Sequence, residues 1–446
     1  MKLSIPELSL VVLVGPSGSG KSTFAARHFL PTEVLSSDFC RGLVADDENA
    51  QHATRDAFDV LQYVTGKRLA GRRLTVVDAT SVFPEDRKKL VSLAREHDVL
   101  ACAIVFNLPE RVCAERNAAR PDRNLPPHAL RRQVQALRKS MSSLKREGFH
   151  HVWKLTSAEE VDDVDIERVR LWTDRRGDHG PFDIIGDVHG CYDELVTLLG
   201  ELGYAVAPAD TPLQVVVTPP PGRKAVFVGD LPDRGPATPA VFRLVISMVE
   251  SGAALCVPGN HDIKLMRALR GRNVQVTHGL AESLEQFAAE PPELQERVAD
   301  FVDGLVSHLV LDDGRLVVAH AGLKEQFQNR SSRRVRNFAL YGETTGETDE
   351  FGLPVRYAWA GDYRGSAAVV YGHTPVPEPE WINNTICLDT GAVFGGRLTA
   401  LRWPEREIVS VPARRTYAEP ARPFLPPLVP AAGGPPREFG ERVAEQ

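Results

Sequence analysis

The sequence predicts two α/β modules in series, and two observations carry that expectation. Near the start an apolar run, Val11 to Val14, meets Gly15, and Gly20-Lys21-Ser22 follows at the interval G-x-x-x-x-G-K-[ST]. In the second half, five apolar runs each end in a short block bearing Asp, His or Asn. The bulk properties agree. A chain of 446 residues suits two or three domains, and 43% hydrophobic with 25% charged residues is ordinary globular composition. A formal net charge of −6 argues against a protein that coats nucleic acid, so any such contact is expected at an end or a short strand. The six cysteines are scattered without a C-x-x-C pair and read as reduced core thiols. The opening MKLSIPELSLVVLVG leads straight into the glycine-rich loop, so it reads as a core strand rather than a signal peptide. No apolar stretch is long enough to cross a bilayer. The expected setting is the cytoplasm, with no membrane partner.

In the first module the strand delivers the chain to a turn whose N–H groups surround a phosphate: Gly15, Ser17, Gly18, Ser19 and Gly20, then Lys21, Ser22 and Thr23. A helix starting near Lys21 turns its positive end toward the same anion. Lys21 is expected on the β/γ-phosphates of ATP and the Ser22 hydroxyl on Mg²⁺. A second strand, residues 33–37, leads to Asp38, placed to take a proton from an attacking hydroxyl, with Arg41 nearby for an acceptor phosphate. The alternative for Asp38 is a helix N-cap. A third strand, 74–77, ends at Asp78, positioned for Mg²⁺ or, again, as a cap. After the strand in ACAIVFNLP, Arg111, Arg116, Arg120 and Arg123 cluster. Arg116 and Arg120 share a helix face before Pro121, which suits a lid that neutralises a transferring phosphoryl group; a solvated charged face is the plain alternative. Residues 128–146 read as basic and helical, and the strand VWKL closes the module.

Residues 157–179 are very polar and read as a linker or a peripheral element with one short helix. The second module then unfolds block by block: GDVHG (186–190), GDLPDRG (229–235), GNHD (259–262), AHAG (319–322) and YGHTP (371–375). Oxygen and imidazole ligands without cysteine suit Mn²⁺, Mg²⁺ or Fe. Asp187, His189 and Asp230 are candidates for one ion, and Asp230, Asn260, His320 and His373 for a second, with Asp230 as the bridge. Such a pair activates water for phosphoester hydrolysis. Arg234 suits phosphate oxygens, and His261 suits general-acid work at the leaving group, oriented by Asp262. Residues 263–311 are expected to form a helical cap. Residues 330–365 interleave arginines with Tyr341, Tyr357, Trp359 and Tyr363, which fits either stacking on a single strand or a loop with buried rings. His52 and His278 have no partner at motif spacing and read as surface or core residues.

On these motifs, residues 1–156 resemble the polynucleotide 5′-kinase module and residues 180–414 the binuclear metallophosphoesterase of calcineurin type. In this order they resemble the bacterial polynucleotide kinase–phosphatases of RNA repair. The fold class implied is an α/β P-loop kinase domain with a parallel sheet, then an α/β (α+β) calcineurin-like metallophosphoesterase sandwich. The resemblance implies Lys21 and Ser22 on ATP–Mg²⁺, Asp38 as base, Arg41 on the acceptor, and Arg116 and Arg120 as lid arginines. For the second module it implies Asp187, His189, Asp230, Asn260, His320 and His373 as ligands of two divalent metals, with Mn²⁺ favoured. Arg234 and His261 then bind phosphate, and Asp389 is a supporting acid. The implied activity is healing of RNA ends, with DNA ends as the alternative substrate: phosphorylation of a 5′-hydroxyl and removal of a 2′-, 3′- or cyclic phosphate. Implied partners are a separate RNA ligase, an RNA 2′-O-methyltransferase and a second copy of the chain. The family's further ligase-type domain has no counterpart in the Pro-rich stretch 415–446, and Pro232 stands where the family tends to carry a small β-branched residue. The rival expectation is a phosphatase of dinucleoside polyphosphates or phosphoproteins, with the P-loop module as a nucleotide-regulated switch.

Overall fold

The computed structural model describes residues 1–119 and 125–424. They form two compact units, Met1–Trp172 with Arg330–Val335, and Thr173–Asn329 with the chain from Arg336 onward.

The first unit is built on five parallel strands, in the order Val34–Ser36, Thr75–Asp78, Ser9–Val14, Leu100–Phe106 and His151–Leu155. A parallel sheet is covered on both faces, so its strands need continuous rather than alternating apolar sequence. Ser9–Val14 supplies it: Leu10, Val12 and Val14 enter one core while Val11 and Leu13 enter the other. Leu13 pairs with Asp78, and Asp78 with Ser36. That register brings the loop after Val14, the Asp78 carboxylate and the chain after Ser36 to one edge, where α/β sheets bind ligands.

Two expectations change here. The stretch 157–179 is largely ordered and does not act as a single linker. Ala158–Asp162 is a short helix, and Asp165–Val169 pairs in parallel with Lys2–Pro6. The charged sequence DIERV hides a strand because its partner carries the apolar side chains, with Leu3 and Ile5 fully buried. Arg168 also makes two 2.7 Å bonds to the Glu33 carboxylate. The first unit therefore runs to Trp172 rather than to residue 156. Arg330 and Arg334 are also committed within this unit. Arg330 donates to the carbonyls of Leu69 and Ala70, and Arg334 to Asp98. Trp359 and Tyr363, in the second unit, are buried. The reading of 330–365 as a loop with buried rings is the one these contacts match.

The second unit contains a five-stranded sheet, Ala254–Cys256, Lys224–Phe227, Phe182–Ile185, Arg397–Trp403 and Glu407–Pro412. A six-stranded sheet runs Trp381–Ile382, Thr385–Cys387, Ala368–Tyr371, Leu316–Val318, Leu309–Leu311 and Asp174–Arg175. Ile184, Val226 and Val257 from the first pack against Leu316, Val318, Val370 and Ile386 from the second, making a sandwich. The residues between them in sequence, Ile185, Ala225 and Phe227, turn outward into a separate core with the helices Tyr192–Glu201 and Thr238–Glu250. The helices Asn260–Leu269, Leu280–Ala288 and Pro292–Gly304 supply the expected cap. Residues 415–424, read as the start of a Pro-rich tail, lie against this unit. Tyr417 donates to Glu194 at 2.7 Å, and the Phe424 ring meets that of Phe394 at 6.0 Å. All six cysteines are buried and free of disulfides. No helix among the described residues is long and apolar enough to cross a membrane.

Candidate active sites

In the second unit the strand ends converge. Asp187 follows Phe182–Ile185, Asp230 follows Lys224–Phe227, and Asn260 and His261 open the helix after Ala254–Cys256. From the other sheet, His320, His373 and Asp389 follow Leu316–Val318, Ala368–Tyr371 and Thr385–Cys387. Asp230 belongs to two groups of close ligand atoms, one with His189 and His261 and the other with His320 and His373. That is the position a bridging carboxylate requires. Backbones must approach closely to reach it. A Cβ on Gly259 would stand 2.0 Å from Asp230 Oδ1, and one on Gly372 would stand 1.8 Å from Asp187 Oδ1. His189, Asp230, Asp233, Arg234 and His373 all have φ between 45° and 76°. Such left-handed backbone costs about 1–3 kcal/mol per residue and gathers at functional sites.

Hydrogen bonds fix the imidazoles. His189 Nδ1 donates to the Pro232 carbonyl at 2.7 Å, so its Nε2 keeps a lone pair and accepts from Arg234 at 2.8 Å. Pro232 thus supports the site through its carbonyl. His320 Nδ1 donates to the Val228 carbonyl at 3.1 Å. Its Nε2 then faces Asn260 Oδ1 at 3.1 Å, His373 Nδ1 at 3.0 Å and Asp230 Oδ2 at 3.4 Å. Asp187 Oδ1 and His373 Nε2 are buried with no hydrogen-bond partner among the described residues. Lone pairs gathered at this density call for a cation. The donor set, nitrogen and oxygen without sulfur, fits a divalent pair. Asp187, expected beside His189, falls in neither close group, where His261 stands instead; its Oδ2 accepts the His373 amide at 2.9 Å.

The electrostatics agree. Burial, Asp389 and Asp230 push the Asp187 carboxyl well above the usual range. Burial acts the same way on Asp230, but His320, His261 and His189 outweigh it and hold that carboxyl well below. Burial lowers His320, yet the Asp230 charge prevails and raises it. Burial also lifts Asp389 to about 6, and burial with Asp230 lifts Asp262 to about 7.

The orienting acid is not the one the sequence indicates. Asp262 is the third residue of its helix and folds back as a capping group, accepting from Gly259 N at 2.7 Å, Asp230 N at 2.8 Å and Leu231 N at 3.2 Å. It shapes the loop that carries Asp230. His261 is held instead by Asp233, Nδ1 to Oδ2 at 2.6 Å, and Ser283 donates to the other Asp233 oxygen at 2.7 Å. Asp233 stands in GDLPDRG, but nothing in the sequence pairs it with His261. Arg234 donates to His261 Nε2, so the ring carries its proton at Nδ1, toward Asp233. Arg234 reaches His189 and, at 3.1 Å, His261, and lies 5.2 Å from the Phe394 ring centroid. It borders a cavity of about 650 Å³ that also includes Asp230, Asn260, His373 and Asp389. His278 and residues 417–424 line this cavity as well, and no motif marked either. When bound, a divalent pair supplies charge neutralisation and water activation.

In the first unit Gly20, with φ 93°, precedes the helix Lys21–His28, so the loop amides and the helix end face one spot. Lys21 Nζ donates to the carbonyls of Gly15 and Pro16 at 2.8 and 2.9 Å. A small polar cavity joins Gly18, Lys21, Ser22, Asp38 and Asp78. Ser36, not Asp38, is the N-cap of the helix Ser37–Ala45, accepting from the Asp38 and Phe39 amides. Asp38 is thereby free of the capping role, and its carboxylate takes a 3.0 Å bond from Arg41. Arg41 is buried and also donates to the Glu48 carbonyl. Arg116 lies beside the loop, its Nη1 3.2 Å from where a Gly20 Cβ would be. Arg120 and Arg123 fall outside the described residues. Two residues without sequence signal clamp the loop. Asn117 exchanges hydrogen bonds with Ser17, and Gln133 accepts from the Ser17 amide at 2.9 Å.

Fold and site define a metallophosphoesterase unit joined to a P-loop unit. Residues 180–385 match the calcineurin-like phosphoesterase family and residues 10–144 an AAA domain family. The chain belongs to the calcineurin-like phosphoesterases, with the P-loop module ahead of that domain as the motifs predict. It is similar to the asymmetrical bis(5′-nucleosyl)-tetraphosphatase PrpE of Anoxybacillus flavithermus, 49% identical over 248 residues, 54% of this chain and 99% of that protein. The Bacillus subtilis PrpE is 46% identical over 242 residues, 53% of this chain and 97% of its own. A solved Pnkp1/Rnl/Hen1 RNA repair complex is 16% identical, covering 58% of this chain and 81% of that one, with a TM-score of 0.27. Those last figures are too low to transfer any property.

Proposed function

We propose that the chain is a two-site enzyme of nucleotide ends: its P-loop unit transfers a phosphoryl group from ATP to a 5′-hydroxyl, and its phosphoesterase unit removes a 2′-, 3′- or cyclic phosphate. The observation that supports this most is Asp38. It shares the P-loop cavity with Lys21, Ser22 and Asp78 and is tied to Arg41. A carboxylate on the acceptor side is what phosphoryl transfer to a hydroxyl needs and what a nucleotide switch does not. In this reading Ser22 and Asp78 hold Mg²⁺, Arg116 meets the ATP phosphates, and Asp389 supports the two-metal pocket.

A second reading has the better support from the relatives. The relatives at 46–49% identity are named as bis(5′-nucleosyl)-tetraphosphatases, and for the phosphoesterase unit alone this makes a dinucleoside tetraphosphate the better-supported substrate. One experiment separates the two. The chain, with Mn²⁺ and ATP, is given an RNA bearing 5′-hydroxyl and 2′,3′-cyclic phosphate ends, and in parallel diadenosine tetraphosphate. The end-healing reading expects both RNA termini to change. Cleavage of the tetraphosphate with both RNA ends intact would replace it by the second reading.

A further inference from the structure

Beside the metal site the second unit holds another cavity, of about 340 Å³, that neither reading assigns. Its walls are largely apolar and aromatic: Phe351, Tyr357, Trp359, Tyr371 and Ile382. Several walls are rigid. Trp359 is buried, packs edge-on against Phe338 and Tyr363, and fits so closely over Gly322 that a Cβ there would stand 1.9 Å from its ring. Phe351 is 48% exposed at the mouth, on the turn between the paired strands Thr344–Thr348 and Pro354–Arg356. His373 and Thr374 line both this cavity and the metal-site cavity, so the two are neighbours across one strand end.

Two guanidinium groups, Arg356 and Arg422, also line both cavities. Arg356 is anchored on the Tyr341 carbonyl, and Arg422 bonds the Asp349 carboxylate at 2.9 Å. The two guanidinium groups and His373 thus stand where the metal-site cavity meets the aromatic slot, whose wall also carries Glu343, Asp349 and Glu350. Cations between the reacting phosphate and a slot with π faces match the layout of a nucleotide: phosphate, linking phosphate or sugar, base.

We infer that this cavity is a nucleobase subsite of the phosphoesterase. It takes the base attached to the phosphate being hydrolysed, with Arg356 and Arg422 gripping the anionic link between base and metals. The inference rests on the reading of the second unit as a phosphohydrolase of nucleotide-borne phosphate and names what recognises the nucleoside part. It also gives residues 415–424 a place in substrate recognition, since Arg422 comes from that segment.

The test is calorimetric binding to the Mn²⁺-loaded full chain, using adenosine 5′-monophosphate and inorganic phosphate as probes. Aromatic stacking on a base should make the nucleotide bind roughly tenfold or more tightly than phosphate. Phe351→Ala, at an exposed turn, should shrink that ratio to about threefold or less. Arg422→Ala should weaken the nucleotide more than the phosphate. Equal affinities in the wild type, or a ratio unmoved by both substitutions, would overturn the inference. Hydrolysis assayed alongside keeps the two failures apart. A chain that cleaves nucleotide substrates yet shows no base preference keeps the phosphohydrolase reading and loses the subsite. A chain that binds neither probe and cleaves nothing loses both.

Discussion

In the first unit the candidate phosphate-binding loop is one stretch, Gly15–Thr23, running from a strand end into a helix start. In the second unit the candidate ligands run from Asp187 to His373, and they are side chains gathered from the ends of four strands and the start of one helix. The first arrangement needs one turn and one helix start. The second needs two sheets in register, close backbone approach at Gly259 and Gly372, and a cluster of left-handed residues. The contrast predicts that the P-loop site tolerates change at a distance, whereas the metal site depends on carboxylates and carbonyls that never touch substrate.

Substitution at the shared carboxylate has the largest expected effect. Asp230→Ala should lower metal-dependent phosphate release by about 10³-fold or more while nucleotide binding to the P-loop persists. Loss of both would mean the sites are not independent. Asp38→Ala should do the converse, lowering 5′-phosphorylation of a 5′-hydroxyl oligonucleotide about 10³-fold and sparing phosphate release. Asp233→Asn tests an indirect contribution. It keeps the shape around His261 but removes the negative charge, so kcat should fall about 10²-fold with KM nearly constant, and Ser283→Ala should fall less. The smallest effect belongs to a purely structural pair. Arg87 is fully buried and makes two 2.8 Å bonds to Glu147. Glu147→Gln should cost about 3 kcal/mol of stability by urea unfolding at pH 7 and leave both activities in place. Burial alone would raise the Glu147 carboxyl, but Arg87 and Ser143 prevail and hold it low. A depressed carboxylate stabilises above its unfolded pKa, so the wild type's advantage should be complete near neutral pH and vanish as pH falls through the depressed value. An advantage that persists at low pH would show that packing, not charge, is responsible.

The same contrast explains what could be read from the sequence. Gly15–Ser22 and the five polar blocks are contiguous motifs, each following an apolar run, so the two folds and the converging residues were legible. What escaped depends on pairing across distance. Asp233 meets His261 and Asp262 caps its own helix, a swap that depends on where Asp262 falls in the first turn. Asn117 and Gln133 reach the P-loop from helices whose sequences carry no signal for it. Asp165–Val169 looks polar because the burial in that strand pair belongs to Leu3 and Ile5. Residues 417–424 look like a Pro-rich tail, yet they line a cavity. The arginines at 330 and 334 look suited to phosphate but hold backbone and Asp98 instead.

Metal content tests the central claim most directly. Full-length protein loaded with Mn²⁺, freed of excess metal and analysed by elemental mass spectrometry should carry about two ions per chain. Asp230→Asn should retain one or none while circular dichroism shows the fold intact. A single ion in the wild type, or two ions retained without the Asp230 carboxylate, would contradict the bridged pair from which the whole account of the second unit is built.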